Sequence, residues 1–264
     1  MPGPRGFHDA IVPPVVAQSF ACWTGCVPRL RQLVLAAQQL SPVEQALRTF
    51  LAAPVPHHDP GVGHFGLTNA VLTAGCDFVE VVSPSVPETA AGRWLARNGG
   101  DGGYMLMVDG PRMLTTPDRL ASLAVREVHR GEHPDVVDVH LHPRDTGGVL
   151  LALDAVDPAG SWRWAGPAWT GASPTCTGGL REVTVAVPDP GEVARRWAAL
   201  LDVTAVGNDC RLRLDDGRQR LSFIAGAGDV AVVTAARLAL PGTERRAADI
   251  GGVRFDVVPL EEDT

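Results

Sequence analysis

One carboxylate stands inside an otherwise apolar run of the sequence. Glu80 lies between Val79 and Val81 in the string FVEVVSP. Burying a carboxylate is costly unless the group is paired, hydrogen-bonded, protonated or bound to a metal. Two interpretations therefore stay open. Glu80 is a metal ligand or general base, or it is a carboxylate anchored by an arginine such as Arg93 or by backbone donors.

A second group of side chains suited to chemistry lies in the string DVVDVHLHP. Asp138, His140 and His142 occupy alternate positions, so in a strand all three side chains leave on one face. Two imidazoles and a carboxylate suit a divalent metal or a polar substrate. The alternatives are histidines on an exposed sheet face and, for His142, a cap on the turn at Pro143.

A histidine-rich loop, HHDPGVGH, precedes a predicted strand that carries Asn69. Its spacing matches neither HExxH nor a closed zinc pattern, so we expect the loop to cover a cleft and to offer His64 and Asn69 to a ligand. Gln32 in LRQLVL alternates in phase with Val34, which makes it either a cleft residue or a hydrogen-bonded core amide. No Gly-x-Ser-x-Gly elbow is present, which weakens a serine hydrolase hypothesis.

Composition excludes several kinds of chemistry. The 264 residues contain no lysine, which excludes a Schiff-base nucleophile, a PLP anchor and a P-loop lysine. The glycine-rich stretch at 98–103 precedes a predicted strand, whereas a phosphate-binding loop precedes a helix. We therefore expect no NAD, PLP or nucleotide cofactor.

Charge and hydropathy limit the partners. The chain has 23 basic and 30 acidic side chains and a net charge of −7, so neither nucleic acid nor a membrane is an expected partner. No apolar stretch is long enough to span a bilayer, and Asp9 and the Pro13-Pro14 pair disfavour a signal peptide. The five cysteines have no regular spacing, which predicts free thiols and a cytoplasmic location.

The elements that would position these residues repeat along the chain. Residues 30–51 align without gaps with residues 180–201, and both segments predict a strand followed by a helix. Ser41 is the expected N-cap of the first helix. A third copy begins at YMLMVDG, and strand-like runs follow each helix, one pair joined by a hairpin turn at Asp216-Gly217. A fourth, shorter copy has almost lost its helix.

The chain divides at a segment rich in Trp, Gly, Pro, Ser and Thr. The expected parts are a loosely ordered extension at 1–29, a first half at 30–156, this segment at 157–179 and a second half at 180–260. The segment contains Trp162, Trp164 and Trp169, which would either stack on a ligand or hold the two halves together.

Several strings, together with the repeated pattern, resemble the vicinal oxygen chelate superfamily of glyoxalase-like proteins. The strings are HHDPGVGHFGLTNAV, FVEVVSP, TAAGRWLARNGGDGGYM and HLHPRDTGGVLLALD. The resemblance implies an α+β fold of tandem βαβββ modules of the glyoxalase/dihydroxybiphenyl dioxygenase type, with the second half incomplete. It also implies a cleft that often holds one divalent metal ion through four side chains.

The resemblance assigns metal ligands to named positions of this sequence. Gln32 and Glu80 occupy the two ligand positions of the first module. The corresponding positions of the second module fall near Tyr104 and on Ala152, which supply no ligand. Half of the expected metal shell is therefore missing.

The second half repeats this loss. Glu182 replaces its first-strand ligand, and Phe223 stands where the late carboxylate would be.

Two functions from different classes follow from the resemblance, and both act on a small molecule. The first is an isomerase, lyase or epimerase acting on a vicinally oxygenated or enolisable metabolite, with Glu80 as base or metal ligand, Gln32 as second ligand and at most one divalent metal ion. The substrate contacts would then come from His64, Asn69, Tyr104, His140 and His142. The second is a metal-free protein that binds or sequesters a small molecule, and a third, structural role would leave Glu80 paired with arginine. The family resemblance also allows a homodimer.

Overall fold

The computed structural model describes residues 27–170, 176–205, 210–226, 228 and 230–263. Most of the predicted extension at 1–29 lies outside these ranges, and so do Cys22 and Cys26. No helix in the described ranges is long and apolar enough to cross a membrane.

Strands and helices alternate along the first half. The elements are β1 (Arg29–Ala36), α1 (Leu40–Leu51), β2 (Leu67–Ala74), β3 (Asp77–Pro84), α2 (Ala90–Asn98), β4 (Gly102–Asp109), α3 (Pro117–Ser122), β5 (Glu127–His133), β6 (Val136–Leu141) and β7 (Leu150–Val156). The second half repeats the pattern with β8 (Gly179–Val187), α4 (Pro190–Leu201), β9 (Arg211–Leu214), β10 (Gln219–Ala225), β11 (Val232–Leu240), β12 (Arg246–Ile250) and β13 (Val253–Pro259).

Helix α1 forms because its apolar residues recur at helical spacing. Val43, Leu47 and Leu51 lie four residues apart and are buried on one face. The predicted cap at Ser41 is wrong, since the helix begins at Leu40 and extended Gln39 is its N-cap, without a side-chain hydrogen bond. The cause is that Ser41 already lies within the first helical turn.

The described strands form one mixed sheet of 13 strands, which confirms the α+β prediction. In the first half the spatial order is β2-β3-β1-β4-β7-β6-β5, and in the second it is β9-β10-β8-β11-β13-β12. Each leading strand pairs in parallel with one neighbour and antiparallel with the next: β1 with β3 and β4, and β8 with β10 and β11. The two halves meet where Gly103 pairs with Val233, and a Cβ at Gly103 would clash with the Val233 side chain.

The main apolar cluster runs between helices α1, α3 and α4 and the sheet in both halves, whereas Trp94 and Leu95 of α2 pack in a second cluster on the opposite face. Helix α4 belongs to the second half, yet Trp197 donates its ring N–H to the Thr146 carbonyl oxygen in the first half at 2.8 Å. The Arg196 side chain likewise donates to the carbonyl oxygens of Leu123 and Asp145. The two halves therefore share their main core, and the opposite face of the sheet is left for other contacts.

Two of the predicted free thiols form a disulfide. Cys76, in the turn between β2 and β3, is bonded to Cys176, and their Cα atoms lie 5.3 Å apart. The prediction is wrong for this pair because the residues are separated by 100 positions and only the fold brings them together. Cys210 is a free thiol.

Candidate functional site

Glu80 lies at the centre of a buried polar group on the sheet face that is turned away from the main core. The residue is only 6% exposed. Gln32 Nε2 on β1 donates to Glu80 Oε2 at 2.7 Å, and Asn69 Nδ2 on β2 donates to Glu80 Oε1 at 2.7 Å. The three side chains come from adjacent strands, so the register of the sheet fixes the site.

The orientation of both amides follows from groups that can only donate. Trp162 Nε1 donates to Gln32 Oε1 at 2.6 Å, and the backbone N–H of Asp59 donates to Asn69 Oδ1 at 2.9 Å. Because an indole and a backbone N–H have no acceptor function, each amide must turn its NH2 group toward Glu80. The carboxylate thus accepts two well-defined hydrogen bonds.

Burial raises the pKa of Glu80 to about 7, although the hydrogen bonds from Asn69 and Gln32 act in the opposite direction. Neither of the anchors considered from sequence is present. Arg93 donates to the Glu88 carbonyl oxygen, and the partners of Glu80 are side-chain amides. The result is a carboxyl group whose protonation changes near neutral pH.

Tryptophans from the segment at 157–179 cover this face. The Trp162 ring stacks parallel to Phe78 at 6.3 Å, and Trp169 meets Phe78 edge-on at 4.8 Å. The buried guanidinium of Arg31 lies over the Phe78 ring at 5.3 Å and donates to the Gly160 carbonyl oxygen. These contacts lie within the first half, so they do not support the predicted role of holding the two halves together. The predicted stacking of the tryptophans on a ligand stays a prediction. Glu80 is therefore closed off from solvent by the chain itself.

The corresponding face of the second half is open. Ser222 Oγ donates to Glu182 Oε1 at 2.9 Å. Gln32 and Glu80 make the equivalent contact in the first half, also between diagonally placed residues of two neighbouring parallel strands. Ser222 and not Phe223 is therefore the counterpart of Glu80. The Phe223 ring points into the main core, 5.5 Å from Trp197.

The strand register extends the correspondence between the first and second halves across the sheet. One row of paired residues in the first half contains Phe78, Gln32, Met107 and Ala152. The matching row in the second half contains Arg220, Glu182, Arg237 and Asp256. Gln32 and three apolar residues under a tryptophan cover are thus replaced by four charged residues on a face without such a cover.

No family model matches this chain, and no curated protein matches it. Two solved methylmalonyl-CoA epimerases align with about half of it. The Mycobacterium tuberculosis enzyme is 21% identical, with 53% of this chain and 93% of its own chain covered and a TM-score of 0.44. A Streptomyces coelicolor epimerase variant in complex with 2-nitronate-propionyl-CoA is 21% identical, with 50% and 99% covered and a TM-score of 0.43.

A third solved structure, a hypothetical protein from Staphylococcus aureus, aligns with 88% of this chain and 99% of its own at a TM-score of 0.59 and 10% identity. Because the alignment spans both halves, it shows a shared overall fold, and at this identity it shows the fold alone. The mixed α+β sheet agrees with the fold class predicted from the resemblance. The fold is glyoxalase-like.

A divalent metal, which the glyoxalase-like fold often holds, does not fit the residues around Glu80. Gln32 and Asn69 turn N–H groups toward the carboxylate, so neither amide oxygen is available there. Met107 and Ala152 complete the same row and have no oxygen or nitrogen in their side chains. In the described ranges, no group of three His, Cys, Asp or Glu side chains is placed to hold a metal ion.

Three buried carboxyl groups lie beside one another elsewhere on this glyoxalase-like sheet face: Asp109, Asp154 and Asp138, on β4, β7 and β6. Burial raises the pKa of Asp109 to about 8, and burial and the charge of Asp138 raise the pKa of Asp154 well above its ordinary value. Both shifts favour the protonated carboxyl, which is a poor metal ligand.

His140 lies on the same face beside the carboxyl group of Asp138, in a cluster with Phe65 and His129. The Phe65 ring stacks on His140 at 5.9 Å, and His129 Nε2 lies 3.2 Å from Asp138 Oδ2. Burial, together with the charge of His129, lowers the pKa of His140 to about 3. His140 is a neutral imidazole at physiological pH, covered by the exposed Phe65.

The other predicted contact residues lie apart from Glu80. The exposed His64 packs edge-on against Phe65, and Tyr104 packs against Trp94 at 5.3 Å. His142 Nδ1 accepts the backbone N–H of Arg144, which is the turn-capping alternative considered from sequence. Only Gln32, Glu80 and Asn69 of the predicted set come together. Trp162 was missed as a partner because it is 130 positions from Gln32.

Proposed function

We propose that this chain is a metal-free small-molecule binding protein that presents the open sheet face of its second half to the ligand. The observation that carries the proposal is the contrast between two equivalent faces. The first is filled by Trp162 and Trp169, and the second is solvent-exposed and carries charged side chains. The chain is similar to epimerases in about half of its length, and the proposal extends that similarity only to the use of a sheet face for a small ligand.

The contacts on the open face support binding. Arg220 and Arg237 flank Glu182 in one row, and the arginine side chains are 49% and 40% exposed. Arg220 reaches Glu182 at 3.5 Å and Arg237 reaches Asp263 at 3.3 Å, so each guanidinium is only loosely paired. A guanidinium has five N–H donors, which leaves most of them available to a ligand.

The two tryptophans that close the first sheet face are firmly packed. Trp162 is fully buried and Trp169 is 9% exposed, and each aromatic side chain that leaves such a site exposes a large apolar area. A ligand that entered at Glu80 would first have to displace both rings. The open face requires no such rearrangement.

A blocking substitution tests the proposal. Ala235 lies on the open face between Thr184 and Arg254, so Ala235→Trp would cover it. Ala199→Trp, on the exposed side of α4, is the matched control. In saturation-transfer-difference NMR with a mixture of small metabolites, we expect signals for the wild type and the control and their loss in Ala235→Trp. Signals that survive Ala235→Trp would contradict the proposal.

The near-neutral pKa of Glu80 favours a second candidate, an acid–base enzyme that acts on an enolisable acyl compound. The carboxylate would abstract a proton next to a carbonyl once the tryptophans had moved. This candidate predicts deuterium incorporation from D2O into an enolisable thioester such as methylmalonyl-CoA, and its loss in Glu80→Gln. The binding proposal predicts no incorporation with either protein.

A further inference from the structure

The segment that follows β13 turns back over one end of the open face. It forms a short 3-10 helix (Leu260–Glu262), after which Asp263 contacts two guanidinium groups. Arg181 Nε donates to Asp263 Oδ2, and Arg237 Nη2 donates to Asp263 Oδ1 at 3.3 Å. Because the Arg237 side chain lies on the open face, residues 260–263 lie against that face as well.

Two apolar residues at this end of the open face are buried. Ala239 and Val258 are paired in register, and along their strands they alternate with the core residues Leu238 and Val257. Their side chains therefore point away from the main core. Both are nonetheless buried, so part of the chain lies over them. The segment after β13 starts next to Val258 and returns to Arg237, so its path crosses this pair.

The first half contains a counterpart of this segment. β7 pairs in parallel with β4, and β13 pairs in parallel with β11, so the segments that follow β7 and β13 correspond. The segment after β7 is the tryptophan cover, whose Gly160 carbonyl oxygen accepts from Arg31. Arg181, which aligns with Arg31 in the repeat, contacts Asp263 instead. Each segment therefore returns to the leading strand of its own half.

We propose that residues 260–263 form a releasable cap over one end of the open face, which moves aside when a small molecule binds. The inference rests on the proposed binding function. In its closed position the cap occupies the part of the face around Arg237, so the cap and a ligand compete for the same surface. A variant in which the cap is open more often should therefore bind the ligand more tightly.

The cap and the tryptophan cover differ in what holds them to the sheet. Aromatic packing holds the tryptophan cover, whereas ion pairs hold the cap, and Arg245 Nη2 adds one with Glu262 Oε2 at 2.8 Å. The ion pairs of Arg237 and Arg245 are partly exposed, and exposed pairs contribute little to stability. The pair between Arg181 and Asp263 is the least exposed of the three, so Asp263 is the residue that keeps the cap closed.

Paramagnetic relaxation by a neutral gadolinium chelate tests, without any ligand, whether Asp263 holds the cap. The methyl groups of Val258 report on opening, because they are buried at the covered end of the face. We expect the chelate to relax them roughly threefold faster in Asp263→Asn than in the wild type, and Glu261→Gln to match the wild type. Glu261 is an exposed residue of the same segment, so this control loses the same single charge. Equal relaxation in Asp263→Asn and the wild type would overturn the inference.

Ligand titrations test whether the cap controls binding. The ligands are the metabolites whose saturation-transfer-difference signals Ala235→Trp abolishes, each titrated at constant ionic strength because salt screens exposed ion pairs. We expect a dissociation constant roughly threefold lower in Asp263→Asn than in the wild type, and no change in Glu261→Gln. An unchanged constant in Asp263→Asn would overturn the cap and leave the proposed function in place. If Ala235→Trp abolishes no metabolite signal, the proposed function fails, and the cap inference fails with it.

Discussion

Glu80 is a carboxylate that the fold buries with two amide donors and no positive charge. Its folded-state pKa of about 7 lies above the ordinary value of 4.5, so the folded protein holds this proton more tightly than the unfolded chain. Below pH 4.5 Glu80 is protonated in both the folded and the unfolded protein, so it does not make the stability depend on pH. As the pH rises from 4.5 to about 7, the unfolded chain ionises first, and stability falls by roughly 3 kcal/mol.

Glu80→Gln should remove this dependence on pH. We expect the free energy of unfolding of the variant, measured with urea from pH 4.5 to 7.5, to fall less with rising pH than that of the wild type. The slope is the relevant quantity, because a glutamine at this position also turns a donor against Gln32 or Asn69. Glu244→Gln, at an exposed site before β12, should leave the slope unchanged. Equal slopes for Glu80→Gln and the wild type would contradict a raised pKa.

At the residue scale the sequence predicted Glu80, Gln32 and Asn69 as site residues, but not the hydrogen bonds that connect them. The apolar neighbours of Glu80 indicated burial, and strand alternation indicated that Gln32 shares a face with Val34, since a local pattern carries that information. The contacts of Asn69 and Trp162 depend on how distant strands and segments meet. No local spacing encodes the hydrogen bond between Trp162 and Gln32.

The segment that follows β7 acts as an internal cover for the first sheet face. Trp162 contributes to it in two ways, through its ring and through the hydrogen bond to Gln32. Trp162→Phe retains most of the ring and leaves Gln32 Oε1 without its buried donor. Trp169→Phe removes a similar ring area without touching Gln32.

We therefore expect Trp162→Phe to reduce the free energy of unfolding by about 1–3 kcal/mol more than Trp169→Phe. Urea denaturation of both variants at pH 7 measures the difference. If the two variants lose the same stability, the hydrogen bond to Gln32 contributes nothing, and the cover is held by packing alone.

Helices and strands were predicted correctly where apolar residues recur with a clear period. The strand and helix pairs at 30–51 and 180–201 appear as β1 with α1 and β8 with α4. Strands β5 and β12 were not predicted, because the charged sequences EVHRGEH and RAADI lack a clear apolar alternation. Both strands lie at the edges of the sheet. Backbone pairing with one neighbouring strand holds each of them in place, although their side chains show no strand-like pattern.

At the scale of the whole molecule, the disulfide joins the cover segment to the sheet that it covers. It links residues that are 100 positions apart, and closing so long a loop restricts the unfolded chain. We expect Cys176→Ser to lower the free energy of unfolding by about 2–4 kcal/mol under non-reducing conditions. Cys210→Ser, which removes the free thiol, should cost much less. Equal effects of the two substitutions would show that the bond does not form.

The disulfide also bears on the predicted cytoplasmic location, which stays a prediction. Disulfides are uncommon in reducing compartments. Peptide mapping of the protein from its native cells, with free thiols alkylated at lysis, measures the oxidised fraction of Cys76. A fully alkylated Cys76 would agree with a reducing location, and a linked peptide with Cys176 would argue against it.

The most direct test of a metal-free binding protein is the divalent-metal content of the chain, purified without chelator or histidine tag. Elemental analysis should find well below one equivalent of manganese, iron, nickel or zinc per chain, also after soaking in each metal and desalting. Gln32 and Asn69 direct N–H groups at Glu80, and this arrangement offers no set of metal ligands. About one equivalent of a single metal, lost in Glu80→Ala, would contradict the account and make Glu80 a ligand in a metalloenzyme.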